Sequence, residues 1–254
     1  ALASLPIQGF QTEVTRVKKS ALDACDFLVK LDAEHENHDH NMNYLYGHHH
    51  GEEHHEHCHD HVHDDDHTHT HEHDDHDAHG EETHDHHHHH HEHRGMKEIL
   101  AILEQADLSE GARRLAVKIF TILGEAEAKA HGTTLDQVHF HEVGAIDSIV
   151  DIVSAAVCFD NLGIEQVIVP FLCEGSGTVR CQHGILPIPV PAVANIATAN
   201  RLRLRMTGAK GEYVTPTGAA IVAAVRTSEK LPETFVIEKI GLGAGKREQE
   251  LPGI

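Results

Sequence analysis

The apolar residues between positions 96 and 130 repeat with the spacing of amphipathic helices. Residues 96–106 predict a short helix and residues 110–130 a longer one, because apolar side chains three and four positions apart share one helical face. Ser109 is suited to cap the longer helix and Gly132 to end it. The apolar stripe of the longer helix comprises Ala112, Leu115, Ala116, Ile119, Phe120 and Leu123.

Later helices are marked by their end signals. Residues 145–162 carry an apolar helical pattern that stops at a glycine. A helix over 192–200 is predicted to begin at Pro191, since proline suits the first helical position. Thr215 is a natural N-cap for a further helix over residues 217–226.

Strand patterns occupy the remaining apolar stretches. Residues 1–31 alternate polar and apolar side chains, which predicts one or two strands joined by a turn. Four later segments are rich in β-branched or other apolar residues and are also predicted as strands. These segments are 166–172, 178–181, 202–206 and 235–242, with a turn predicted over 173–177.

Helices and strands together predict an α+β (mixed α/β) fold, with helices packed on a mostly β sheet. Composition divides the chain into N-terminal strands of a truncated α/β domain (1–34), a disordered His-rich insertion (35–93) and a main α/β domain (94–254). No apolar run is long enough for a transmembrane helix. Because the first residue is Ala and the last residues give no structural close, we expect a piece of a longer protein.

Histidine and acidic residues are concentrated in residues 35–93. This segment carries 26 of the 30 histidines and 17 acidic residues, and without it the net charge changes from −21 to −4. Such a composition cannot bury a core and predicts disorder. Imidazole binds borderline metal ions, so we interpret the segment as a metal buffer or delivery arm with many weak sites. The alternative is an insertion without a selected role. The acidity argues against nucleic acid or an anionic membrane as its partner.

The cysteine pattern points to a reducing, cytoplasmic setting. The chain has five cysteines, an odd number, and no C-x-x-C pair. A secreted disulfide framework would instead show an even number at regular spacings. We therefore expect free thiols.

Residues 138–152 hold the densest set of side chains able to bind metal or move protons. An extended start would direct His139 and His141 to the same side. A helix after them would set Asp147 and Asp151 one turn apart on one face. Two imidazoles and two carboxylates would then meet where a strand runs into a helix. The alternative is a surface turn with scattered polar groups.

The segment His-Phe-His-Glu at 139–142 is not a zinc-protease motif, because Ala145 occupies the position where that motif needs its second histidine. A metal-dependent hydrolase is therefore a weak alternative. His183 precedes a proline-rich segment and is either a further metal ligand or a turn histidine. Glu212 lies just before a predicted helix start, where it could act on a ligand or an ion.

Two segments are candidates for binding a phosphate. The helix start with Thr215, Thr217 and Gly218 offers hydroxyls and backbone N–H groups to an anion, although plain capping is the alternative. Lys246 and Arg247 follow a Gly-x-Gly-x-Gly sequence and could clamp a phosphate. That glycine sequence lacks the strand–turn–helix context of a dinucleotide site.

Four blocks of the sequence, in this order and spacing, resemble the nickel insertion proteins that build the nickel-pincer cofactor of lactate racemase. A His-rich insertion before the first helix is also a recurrent feature of that family, and the resemblance covers essentially the whole chain. The four blocks are VHFHEVGAIDSIVDIV, VRCQHGILPIPVPA, GEYVTPTGAAI and GLGAGKRE.

The resemblance implies insertion of Ni(II) into a pyridinium mononucleotide with two thiocarboxylates, forming one carbon–nickel and two sulfur–nickel bonds. It implies dependence on CTP with Mg²⁺ or Mn²⁺. It also implies an upstream segment like D-x-F-S-G-x-x-G-D-M and a C-terminal domain that handles CTP, so the chain is expected to be incomplete. The implied partners are the mononucleotide, nickel and lactate racemase, without nucleic acid or membrane, and a homo-oligomer is left open.

The resemblance also implies roles for the candidate site residues. Bond formation at a ring C–H needs a proton acceptor, for which Glu142 and Asp147 are the candidates, although either could ligate the metal instead. The Thr215 helix start and the basic pair at 246–247 would bind the phosphate of the ligand. The predicted metal ligands are His139, His141, Asp151 and His183.

A nickel or zinc storage or delivery chaperone without catalysis is the competing interpretation. Both functions require metal binding by the His-rich segment. Only a chemically altered organic product distinguishes them.

Overall fold

The structure is a computed structural model that describes residues 1–32, 94–140, 144–181, 183–247, 249–251 and 253, with His139 described in its backbone only. The described residues on either side of the His-rich segment belong to one compact unit. The predicted disorder and metal binding of 35–93 lie outside the described residues, and the proposed division into domains remains a prediction.

The N-terminal region is a long antiparallel hairpin, as its alternating pattern predicts. Strand β1 (Phe10–Lys19) pairs with β2 (Leu22–Leu31) over their full lengths. Ser20 and Ala21 connect them with φ angles of 48° and 66°. Two consecutive residues at positive φ form the tight turn that matches the twist of a hairpin.

The helices follow the predicted bounds closely. Ser109 caps α2 by accepting a hydrogen bond from the Ala112 N–H, and Gly132 ends it in the left-handed conformation. Thr215 caps α5 by accepting from the Gly218 N–H. In chain order the helices are α1 (Met96–Gln105), α2 (Glu110–His131), α3 (Ile146–Asn161), α4 (Pro191–Asn200) and α5 (Pro216–Val225).

The core lies around α2, which packs against α3, α4 and α5. Apolar side chains at helical spacing on α2 and α3 are almost completely removed from solvent, which is the main force that joins these helices. The predicted apolar stripe of α2 is confirmed, with Leu115 half-buried and the other five positions buried. Fully or nearly fully buried side chains include Ile119, Phe120, Leu123, Phe140, Ile149, Val150, Ile152, Val153, Ile196 and Ala220.

The strands form small sheets, each of two strands, within the described ranges. Besides the hairpin, β3 (Arg94–Gly95) pairs antiparallel with β4 (His139–Phe140). The mixed α+β class is therefore confirmed. The remaining pairs are parallel β5 (Leu172–Ser176) with β8 (Leu204–Lys210), and antiparallel β6 (Thr178–Cys181) with β7 (Gly184–Pro187).

The strand predicted over 166–172 and the turn predicted over 173–177 are wrong. Apart from Leu172, where β5 begins, the first segment holds only an isolated bridge between Ile168 and Ser228, and β5 runs through most of the second. The glycines that indicate a turn serve a different purpose. A Cβ at Gly175 would lie 2.0 Å from the carbonyl oxygen of Gly211, so glycine permits two backbones to approach closely.

The strand predicted over 235–242 is also wrong. Phe235, Val236 and Ile240 are exposed, and the segment contains no strand in the structure as described. A β-rich composition does not make a strand unless a partner supplies the ladder hydrogen bonds. Strand-like pairing begins only at Gly243, which forms a parallel bridge with Cys25.

No helix within the described ranges has both the length and the apolar character needed to cross a membrane.

Candidate functional site

A cavity of about 1100 Å³ lies between the helices and the small sheets. Its wall is built from separate parts of the chain: the end of α2, one face of α3, β6 with the turn after it, the starts of α4 and α5, and the hairpin. Among the polar residues that line it are Glu127, His131, Asp147, Ser148, Asp151, Cys158, Arg180, Cys181, His183, Glu212, Thr215, Thr217 and Arg247.

Asp147 and Asp151 both line the cavity, as their one-turn spacing predicts. Asp147 is buried near the start of α3, whereas Asp151 is accessible from the cavity. Desolvation by the surrounding protein and the nearby charge of Asp147 raise the pKa of Asp151 to about 6. Asp151 can therefore exchange a proton near neutral pH, and the two aspartates together offer carboxylate oxygens to a cation.

Three helices present their first turns to the same cavity. Asp147 and Ser148 belong to the first turn of α3, Pro191 and Ala192 to that of α4, and Thr217 to that of α5. A helix start carries partial positive charge from unpaired N–H groups. Three helix starts around one cavity favour an anionic ligand.

The predicted phosphate-binding residues separate into two groups. Thr215, Thr217, Gly218 and Arg247 all line the cavity. The guanidinium of Arg247 is paired with the buried carboxylate of Glu212. This pairing holds Arg247 beside the start of α5.

Lys246 is directed elsewhere. Its ammonium is paired with Asp26 of the hairpin, and it is not among the residues that line the cavity. Lys19 donates to the carbonyl oxygen of Gly245 at 2.8 Å. The segment before Arg247 is thus fastened to the hairpin, and the assignment of Lys246 to a phosphate remains a prediction.

A row of metal-capable side chains occupies one wall of the cavity. The rings of His131 and His183 are 4.8 Å apart between centroids. The Sγ of Cys181 lies 3.7 Å from the Nδ1 of His183, and the Nε2 of His131 lies 3.7 Å from a carboxylate oxygen of Glu127. His183 is thus brought to the cavity, but next to residues that the sequence analysis did not select.

His131, Cys181 and Glu127 were missed because each carries a stronger local signal. His131 is a favourable residue for the last turn of α2, and Cys181 ends a predicted strand. One signal in the sequence does single out His131. Outside the His-rich segment the chain has only four histidines, at 131, 139, 141 and 183.

His141 and Glu142 lie outside the described residues, as does the side chain of His139. Phe140, between two of them, is buried and lines the cavity. Within the described ranges, no three histidine, cysteine or acidic side chains are already arranged around a single metal position.

Glu174 stabilises the backbone of one part of the cavity wall. Its side chain is fully buried in β5, and its Oε1 accepts hydrogen bonds from the N–H groups of Gly175, Tyr213 and Val214 at 2.7, 2.8 and 3.3 Å. These contacts fix the backbone between Glu212 and Thr215, both of which line the cavity.

The comparisons with known proteins agree on one family. The family model described as nickel insertion protein matches residues 1–254. The pyridinium-3,5-bisthiocarboxylic acid mononucleotide nickel insertion protein of Alkaliphilus metalliredigens is 56% identical over 155 residues, which cover 61% of this chain and 37% of the relative. Proteins of the same name from Akkermansia muciniphila and Acetivibrio thermocellus are 45% and 41% identical, each over 61% of this chain and 38% of the relative.

The aligned part of this chain thus spans between 37% and 38% of the length of these three curated relatives. A search of solved structures found no match.

Proposed function

Because the chain belongs to the nickel insertion protein family, we propose that it forms part of a protein that inserts Ni(II) into pyridinium-3,5-bisthiocarboxylic acid mononucleotide. The names of its curated relatives support this substrate. The product is the nickel-pincer cofactor of lactate racemase, and the activity is that of a cyclometallase in the lyase class.

The observation that carries the proposal is the shared cavity. One space is lined by a carboxylate pair, by two imidazoles with a thiol, and by three helix starts with an arginine. Nickel insertion needs all three kinds of group. The reaction brings a borderline cation to an anionic organic ligand and removes a proton from that ligand.

The helix starts and Arg247 suit the organic ligand. A mononucleotide with two thiocarboxylates is strongly anionic, and the cavity offers the N-termini of three helices for such charge. We assign the phosphate to Thr215, Thr217 and Gly218 at the start of α5, with Arg247 beside them. The guanidinium would share its charge between the phosphate and Glu212.

Asp147 is our candidate proton acceptor among the described residues. Replacing a ring C–H by a carbon–nickel bond releases one proton for each ion inserted, and the two sulfurs complete the organic ligand set. A carboxylate in the cavity can take that proton and pass it to Asp151 one turn away, whose pKa is raised to about 6. Glu142 remains the alternative acceptor.

Dependence on CTP with Mg²⁺ or Mn²⁺, and delivery of the product to lactate racemase, are proposed for the complete protein. We propose a cytoplasmic location, because no disulfide joins the described cysteines Cys25, Cys158, Cys173 and Cys181. The His-rich segment 35–93 would raise the nickel concentration near the cavity by tethering.

Mass spectrometry of the pyridinium ligand tests this function. The complete protein is incubated with Ni(II) and the ligand, with and without CTP. A ligand whose mass rises by one nickel and falls by the displaced protons supports insertion. An unchanged ligand together with bound nickel would indicate a storage or delivery protein.

The same assay tests the residues. Replacing His139 and His141 by Ala is expected to abolish or strongly reduce insertion if these imidazoles present the ion. Undiminished activity would remove them from the mechanism. Exposed Glu233→Gln serves as a matched control, because Glu233 is not among the residues that line the cavity.

A further inference from the structure

Histidines are scarce in this chain once the His-rich segment is set aside. Four remain, and the structure describes the side chains of two of them, His131 and His183. Both line the cavity and their rings are neighbours, although 52 positions separate them in the sequence. Because these imidazoles lie together at one wall of the cavity, we expect them to act together.

The neighbours of these rings extend the row at both ends. Cys181 adjoins His183 through a sulfur–nitrogen distance of 3.7 Å, and Glu127 adjoins His131 through an oxygen–nitrogen distance of 3.7 Å. Glu127 and His131 come from the last turns of α2, and the other two come from the end of β6 and the turn after it. Two independent elements therefore contribute to the row.

Two pairwise spacings are close to those of ligands that share one metal ion, although the three side chains do not yet surround a single position within the described ranges. Metal–sulfur and metal–nitrogen bonds of about 2.3 and 2.0 Å in a tetrahedral site separate the sulfur from the nitrogen by about 3.5 Å. The observed separation of Cys181 Sγ and His183 Nδ1 is 3.7 Å. Two imidazoles on one ion have ring centroids about 5 Å apart by the same geometry, and the observed value is 4.8 Å.

We propose that Cys181, His183 and His131 form a transfer site for one borderline divalent ion, with Glu127 orienting His131 from outside the coordination sphere. One thiolate and two imidazoles suit nickel, zinc and cobalt. Coordination requires His131 to turn about its side-chain torsions, and its side chain is one-third exposed. A histidine that binds a metal ion through one ring nitrogen usually donates the N–H of its other ring nitrogen to a carboxylate, which fixes the orientation of the ring.

The transfer site rests on the proposed function and identifies the residues that bind the ion before its insertion. On binding, the Cys181 thiol loses its proton to solvent and a sulfur–metal bond forms. Three protein ligands leave one position open to the cavity. A thiocarboxylate sulfur can occupy that position and then replace the Cys181 thiolate, which takes up a proton again. The sequence groups His183 with His139, His141 and Asp151, whereas the geometry gives it His131 and Cys181 as partners.

Cobalt(II) titration of the full chain tests this site directly. A cobalt–thiolate bond gives a charge-transfer band in the near ultraviolet that imidazole and carboxylate ligands do not give. The His-rich segment contains Cys58, so the titrations use Cys58→Ser as the parent protein, in which ions held by that segment stay silent at that position. We expect the band in the parent protein, its loss in Cys181→Ser, and a marked weakening in His183→Ala and His131→Ala.

Another cysteine provides a matched control. Cys158 also lines the cavity. The band should persist in Cys158→Ser. Glu127→Gln should retain the band but require roughly 10- to 100-fold more cobalt to reach it, as expected for an orienting carboxylate.

Absence of the band in the parent, or its persistence in Cys181→Ser, would overturn the transfer site. His183→Ala provides a second reading on an exposed turn, where loss of folding is not expected. The assay contains no organic ligand, so its outcome is independent of insertion. A band without a nickel-containing product would reject the proposed function alone, and a product without a band would reject the transfer site alone.

Discussion

At the scale of single residues, Glu174 shows how a buried carboxyl group can organise a loop. The fully buried carboxylate accepts three backbone hydrogen bonds, two of them from Tyr213 and Val214 on a different part of the chain. Glu174 thereby sets the backbone that carries Glu212 and Thr215 into the cavity wall.

Replacing Glu174 by Ala is expected to lower the free energy of unfolding by about 3 kcal/mol or more, since each buried N–H group left without a partner costs about 1–3 kcal/mol. Glu174→Gln should cost less, because its amide oxygen can still accept. Urea denaturation measures both. Exposed Glu233→Ala is the control and should change stability by at most about 0.5 kcal/mol. An equally small effect of Glu174→Ala would contradict this account.

Asp151 makes stability depend on pH. Its pKa is raised to about 6 in the folded protein, above the ordinary value of 3.8, so the folded state holds the proton more tightly than the unfolded state. The resulting stabilisation is complete below about pH 4 and is lost as the pH rises through 6. Asp151→Asn should remove this decline and increase stability at neutral pH.

Urea denaturation between pH 4 and pH 7 provides the measurement for Asp151. Exposed Asp136→Asn is the matched control and should leave the decline in place. If the stability of Asp151→Asn changes with pH in the same way as that of the parent protein, folding does not raise the pKa of Asp151.

Residue types and short spacings made part of this site predictable. Asp147 and Asp151 share a face because a helix repeats every 3.6 residues, and Thr215 caps α5 because its hydroxyl reaches a nearby N–H. The contact of His131 with His183 could not be foreseen, since it depends on how α2 packs against a turn 52 positions later.

At the scale of elements, α2 is shaped by a glycine in its middle. Gly124 is buried, and a Cβ at this position would lie 2.6 Å from Leu135 and 3.0 Å from the ring of Phe140. The missing side chain lets the segment before α3 lie against the helix. Phe140 is thereby buried beneath the cavity that it lines.

Gly124→Ala tests this packing because two effects oppose each other. Alanine favours a helix over glycine by about 1 kcal/mol, whereas overpacking a core costs about 1–3 kcal/mol. We expect net destabilisation in thermal denaturation, partly relieved when Leu135→Ala is added. A stabilised single variant would mean that Leu135 and Phe140 move aside without cost.

The elements also show where sequence patterns reach their limit. The helices carried a regular apolar face or an end signal such as the caps Ser109 and Thr215, and their bounds were predicted within one or two residues. The strand predicted over 166–172 and the one over 235–242 failed, because strand formation depends on a partner elsewhere in the chain. β5 exists where it does because β8 lies beside it.

At the scale of the whole molecule, charge is distributed very unevenly. Most of the net charge of −21 belongs to residues 35–93 and little to the remaining chain. A histidine-rich, acidic segment attached to a folded unit can concentrate divalent ions without forming part of the cavity. Metal collection and metal chemistry would then belong to different parts of the chain.

Deletion of residues 35–93 from the complete protein separates these tasks. Insertion should fall at limiting nickel and recover at excess nickel, because only the local supply is lost. The rate of product formation across a nickel titration is the measurement. Equal loss at both concentrations would show that the segment does more than supply ions.

The hydrogen bonds between the hairpin and the segment near residue 245 have a consequence for the synthesis of the chain on the ribosome. Cys25 exchanges backbone hydrogen bonds with Leu242 and Ala244, and both Cys25 and Arg247 line the cavity. A ribosome that adds about 5–20 residues per second needs roughly 10–40 s to pass from the first of these positions to the last. The ribosome therefore completes the His-rich segment well before it makes the last residues that line the cavity.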